Sequence, residues 1–178
     1  ESLLPAVSAI PGVKPATPIV EGVVTFPDAP GEYLRILGVD PFTGGEIFPF
    51  HLRSGEDRAL DLEKWLGDPE VIAVQPGFTR AGPFQVLAGS IVRILRPAFV
   101  FKPDDVLTRG DPRLVAMDIG WAQELFGSSG RVSSIQILLK DPAQSETVTE
   151  ALRRIVPADA RVAPWPPSRV CEAGIGHV

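Results

Sequence analysis

The chain has 178 residues, 44% hydrophobic and 22% charged, the composition of a globular protein with one ordinary domain or two small lobes sharing a core. A net charge of −5 with no block of like charges argues against a nucleic-acid partner, which would call for a basic face. A single cysteine, Cys171, excludes an internal disulfide framework, and 19 prolines, scattered rather than gathered into PxxP runs, point to many short strands with punctuated edges.

In chain order, Leu3, Val7 and Ile10 fall on one helical face, and Pro11-Gly12 stops that helix. Val13 to Phe26 is β-rich but carries Pro15 and Pro18, which predicts an edge or bent strand. A turn at 27–31 leads into a strand over Tyr33 to Asp40, the second arm of a hairpin. Residues 41–58 read as irregular. Leu62, Trp65 and Leu66 predict a short amphipathic helix over 58–66, with Gly67 at its C-terminal stop.

Val71 to Val74 is a short buried strand, and Phe84 to Phe101 is expected to form two strands broken at Pro97. Residues 115–117 form a strand. Asp118 is a good N-cap for a helix through Phe126 that Gly127 closes. Ile135, Ile137 and Leu139 alternate along the next strand. Asp141 and Pro142 begin a helix over 142–155, with Gln144 placed as in a capping box and Val148, Leu152 and Ile155 as its buried stripe. Pro157 ends it, and 160–163 is a last strand.

Chemical motifs are mostly missing. There is no GxxxxGK[ST] phosphate loop and no GxSxG elbow. His51 and His177 lack ligand-rich neighbours, and Cys171 lacks an evident base, so no catalytic, cofactor or metal residue is assigned. Arg109-Gly110-Asp111 is ordinary turn chemistry, and Glu56, Asp57, Asp61 and Glu63 suit a helix N-terminus. Phe48, Phe50, Phe78, Phe84 and Trp165 are the candidate partner contacts, since exposed aromatics mark interaction surfaces; the competing reading is a lobe core. No apolar run approaches the roughly 20 residues of a membrane span, the longest being Val86 to Leu95, which contains Arg93. With no signal peptide and Glu1 as its first residue, the chain is expected to be an excised piece whose targeting or membrane segments lie outside it.

Four stretches carry a family resemblance: IPGVKPATPIVEGVV at 10–24, LRILGVDP at 34–41, VAMDIGWAQELFGSSGRVSSIQILLKD at 115–141, and the helix and strand at 146–165 followed by PPSRVCEAGIGHV. Their order resembles the extracytoplasmic core domain of FtsX-like ABC transporter permeases, the family that includes the MacB type. The middle of the chain, 41–112, departs from the family pattern. The resemblance implies an α+β fold: a helix–strand porter-like lobe with a mixed sheet at 1–40 and 113–165, an inserted smaller β-rich lobe at 41–112, and a stalk at 166–178 leading to a transmembrane helix.

It further implies a non-catalytic domain on the extracytoplasmic (periplasmic) side of the bacterial inner membrane. Such a domain has no cofactor, couples membrane-helix motion to an envelope lipoprotein, lipid, peptide or adaptor protein, depends on a separate ATPase subunit, and dimerises in the full transporter. A freestanding periplasmic ligand-binding module is the alternative.

Overall fold

In the computed structural model the described residues are 3–44, 61–100, 111–164 and 175–177. Their elements are α1 (Leu3–Ser8), β1 (Val13–Phe26), β2 (Ala29–Val39), α2 (Leu62–Gly67), β3 (Val71–Val74), β4 (Phe84–Ala88), β5 (Ile91–Val100), β6 (Leu114–Asp118), α3 (Ile119–Leu125), β7 (Ser134–Leu139), α4 (Ser145–Ile155), β8 (Ala163–Pro164) and β9 (Ile175–His177). This is an α+β fold with mixed parallel and antiparallel pairing. The chain divides into two units, one built from Glu1–Ile19, Asp40–Phe48 and Val132–Val178, the other from Val20–Val39 and Pro49–Arg131. β1 gives its first seven residues to one and the rest to the other.

The first, a helix–sheet unit, orders its strands β1-β7-β9-β8, all antiparallel neighbours. Val7 of α1 and Val148 and Leu152 of α4 pack on Val13, Ala16, Ile135 and Ile137. Each such burial removes apolar area worth about 1.5–3 kcal/mol per side chain. Pro15 is accommodated because the β1–β7 register shifts between Val13 and Ala16, an irregularity at which a strand can spare a ladder N–H.

Three expectations change here. The helix at 142–155 opens with a 3₁₀ turn, Pro142–Gln144, where Asp141 accepts from the Ala143 N–H at 2.9 Å. Gln144 makes no side-chain cap; its amide lies over Gly12. Ile155 is 38% exposed, so the buried stripe of α4 ends at Leu152. β9, within the segment read as a stalk, pairs Gln136 with His177.

In the second unit the strands run β2-β6-β3-β5-β4-β1, and β1 pairs again with β2, so the circuit closes into a small barrel. β2–β6 and β3–β5 are parallel, the other described registers antiparallel. VIAV of β3 and LVAM of β6 are buried throughout, as continuous apolar runs are when both faces are covered. α2 packs on β3 and β6, and α3 on β2 and β6. The lobe boundaries expected from the resemblance, 40/41 and 112/113, differ from these units because β2 and β6 pair directly, which ties 29–39 and 114–118 to one barrel.

The break in 84–101 falls at the Gly89-Ser90 turn. β5 runs through Pro97 beside a register shift against β3.

α3 has both ends specified locally. Asp118 accepts from the N–H groups of Gly120 (2.8 Å) and Trp121 (3.4 Å). At the other end Ser128 N–H donates to Gln123 O and Gly127 N–H to Glu124 O, with Gly127 at φ 60°, a Schellman stop. The helix lies so close to β2 that a Cβ on Gly38 would sit 2.5 Å from the Ala122 Cβ; Gly22 meets the Phe126 ring in the same way.

Candidate functional site

Several residues singled out from the sequence, namely Phe48, Phe50, His51, Glu56, Asp57, Phe101, Arg109, Gly110, Trp165 and Cys171, lie outside the described residues. Among the described residues no group of three or more His, Cys, Asp or Glu could hold a metal ion. Of the acidic cluster, Asp61 caps α2, accepting from the Lys64 N–H at 3.1 Å, and Glu63 stands in its first turn.

Phe78 and Phe84 come together in the barrel unit. Their rings are 5.8 Å apart, and Phe84 is 5.7 Å from Phe26. Phe84 is buried and Phe78 half-buried. Arg80 completes the cluster, a residue that sequence reasoning passed over in FTRAGPF. Its guanidinium stands 4.0 Å from the Phe26 ring centre, and its Nη1 donates to Asp28 Oδ2 at 2.8 Å, with Glu32 4.0 Å from Nη2. The hydrogen bond from Arg80 holds the Asp28 carboxyl below the usual carboxylate range. The cluster pins the β3–β4 connection to the β1–β2 turn.

A second charged cluster surrounds Arg35 on β2. It pairs with Glu21 and, at 3.0 Å, with Asp111. Arg113 bonds the same Asp111 and lies 4.2 Å from the Tyr33 ring. Burial pushes the Asp111 carboxyl up, but the hydrogen bonds from Arg35 and Arg113 outweigh it and leave the group below its ordinary value. Asp111 is therefore engaged within the barrel unit; it also opens a turn, its carboxylate accepting from the Arg113 N–H and its carbonyl from the Leu114 N–H.

The same unit holds a groove of about 140 Å³ between α3 and β5. Trp121, Leu125, Ile94 and Leu95 form its apolar lining, and Arg93, Glu70 and Glu124 stand around it. The Trp121 indole N–H donates to Leu66 O at 2.9 Å, which fixes the ring toward α2. No ion pair involves Arg93, Glu70 or Glu124 among the described residues. The groove draws on three separate stretches of sequence, so no local pattern announces it.

Among the described residues of the helix–sheet unit two polar side chains are buried, Thr17 and Gln136, which face each other across β1 and β7. Thr43 donates to Asp40 Oδ2 at 2.8 Å, so the 2.8 Å contact between the two threonine hydroxyls has Thr17 as donor. That file ties the 40–44 turn to the sheet. It contains no nucleophile paired with a base.

No family model matches the sequence, and no curated protein does. Among solved structures the chain is similar to the extracellular domain of the noncanonic ABC-type transporter YknZ from Gram-positive bacteria. The TM-score is 0.60 at 13% identity, covering 87% of this chain and 81% of that one. It is also similar to the periplasmic region of MacB from Actinobacillus actinomycetemcomitans, with a TM-score of 0.55 at 13% identity, over 86% of this chain and 72% of that one. The fold is thus that of extracytoplasmic domains of ABC-type transporters. Among the described residues no helix is long and apolar enough to cross a membrane.

Proposed function

We propose that the chain is the extracytoplasmic domain of an ABC transporter permease and works without catalysis of its own. It would sit on the periplasmic side of a bacterial inner membrane, between two membrane helices of the permease. There it would couple their motion, driven by a separate ATPase subunit, to an envelope lipoprotein, lipid, peptide or adaptor protein. The observation that supports this is the fold shared with the YknZ and MacB domains over most of both chains. The sequence adds that no phosphate loop or nucleophile elbow is present.

We assign partner recognition to 41–112, where the sequence departs from its resemblance and aromatics concentrate, and structural support to the helix–sheet unit. Phe78 is the described candidate contact with an accessible edge; Phe48, Phe50 and Trp165 remain candidates on sequence grounds.

The test is the full reading frame. Apolar spans of about 20 residues immediately before Glu1 and after Val178 are expected. A signal peptide directly upstream with a stop codon directly downstream would overturn the reading. In the assembled transporter, exchanging 41–112 for the corresponding segment of a permease with a different partner should change the partner while folding is kept. A partner choice that instead follows changes in the helix–sheet unit, in β7 or α4, would reverse the two roles.

A further inference from the structure

We propose that the groove between α3 and β5 is an anchor site for one side chain of a partner polypeptide, an apolar residue with a basic residue beside it. A volume of about 140 Å³ decides the class of occupant. Pockets for metabolites and cofactors run to about 300–1,000 Å³, so a small molecule of that kind is too large to be enclosed here. One leucine-to-phenylalanine-sized group fits, and single buried apolar anchors dominate many protein interfaces.

The lining is apolar where such a group would sit, on the Trp121 ring, Ile94 and Leu125. It is also held in place before binding. Asp118 caps α3, Leu66 O fixes the Trp121 indole, and β5 pairs with β4 along Ile91–Leu95, with Ile94 opposite Gln85. A preformed anchor loses little entropy when it is filled. Ile94 is 43% exposed and Val92, on the same face of β5, is 50% exposed, so the apolar surface continues beyond the groove toward Leu87.

Charge selects the neighbour of the anchor. Glu70 and Glu124 give the rim two carboxylates against the one guanidinium of Arg93, and no ion pair among the described residues engages them. The neighbouring Arg96 is occupied by Asp68. A partner with a lysine or arginine next to its apolar anchor would meet the carboxylates, while Arg93 is left for a backbone carbonyl or an acidic group. The inference stands on the groove's own geometry and does not depend on the permease reading.

The test pans a phage library of random linear heptapeptides on the whole 178-residue chain. Selected peptides should share an apolar residue adjacent to Lys or Arg. Their synthetic versions should lose at least tenfold in affinity against Glu124→Lys and against Ile94→Ser, and keep it against Arg154→Gln on α4. Thermal melts of each variant establish folding; Glu124 is exposed, so its variant keeps the test alive if Ile94→Ser does not fold. No enrichment, or enriched peptides that bind the groove variants as well as the unaltered chain, overturns the proposal. Sedimentation with phosphatidylcholine–phosphatidylglycerol vesicles that Ile94→Ser abolishes, without peptide selection, would make the surface a membrane contact and overturn it too. So would a concentration-dependent dimer that the same variants dissolve, because the occupant would then be a second copy.

Discussion

The helix–sheet unit and the barrel unit bury apolar side chains in comparable ways but present different surfaces. On α4 the exposed positions are mostly polar or charged, and Glu150 and Arg154 form an i,i+4 pair of the kind that contributes little. The strands of the barrel unit leave Val23, Ile91, Val92, Ile94 and Val100 in solvent, beside charges that are only partly paired. Apolar surface that a fold leaves uncovered on strands rather than loops marks a place for contact. The difference teaches that α4 is spent on holding its unit together, although Phe42 of the same unit is 72% exposed, while the barrel strands have several residues to spare for a partner.

That contrast can be broken by mutation. Leu152→Ala removes a side chain that is 3% exposed in the helix–sheet core and is expected to cost about 2–5 kcal/mol in chemical denaturation. A loss below about 0.5 kcal/mol, the level of an ordinary surface change, would dissolve the claim that α4 is support. In the barrel unit Gly38→Ala forces a Cβ against Ala122 and is expected to cost about 1–3 kcal/mol by overpacking. The double variant with Ala122→Gly should recover part of the loss. An additive double variant would place the strain elsewhere.

Asp118→Ala removes the acceptor for two α3 N–H groups and should cost about 1 kcal/mol. The same substitution at Asp141 should cost less, since it serves a single N–H of a 3₁₀ turn. Equal losses would mean that cap geometry does not distinguish the two helices.

Asp111→Asn should cost below about 1 kcal/mol at neutral pH, because its Arg35 partner is partly solvated. The folded Asp111 pKa lies below the ordinary value of about 3.9, so its contribution is full above that pH and is lost as pH falls through the folded value. The gap between parent and variant melting temperatures should therefore narrow below about pH 4. A gap that widens on acidification would reverse the sign assigned to the Arg35 pair. Ile94→Ser should leave stability within about 0.5 kcal/mol, the smallest effect of the series.

The sequence was legible where chemistry is local. Asp118 and Gly127 mark α3 because capping depends on a few adjacent residues, and Val148 and Leu152 mark the inner face of α4 by spacing alone. Ile155 has the same spacing, but its burial depends on whether another element reaches the last turn, and it stays 38% exposed. Pro97 looks like a breaker until the register shift against β3 is known. Closure of the barrel was not legible, since it rests on Arg35 pairing beside Leu114, and neither residue carries a mark of the other. The groove was hidden for the same reason. Glu70, Arg93 and Glu124 become neighbours only through strand order, and Arg80 acquires its role only when Phe26 and Asp28 arrive from a distant hairpin.

β1's division between the two units carries a temporal consequence. Every residue assigned to the barrel unit has left the ribosome once Arg131 emerges, whereas the helix–sheet unit still waits for β7 and α4. Val13 and Ala16 must stay unsatisfied until 137–139 have emerged, because their strand neighbours, Leu139 and Ile137, follow them by more than a hundred residues. Domains generally fold as their chain is completed, and distant pairings close slowly. The barrel is thus able to form first, with the leading half of β1 held out as an exposed apolar arm until β7 and α4 arrive. During that interval the nascent chain is most open to chaperone capture or to misassembly with its neighbours.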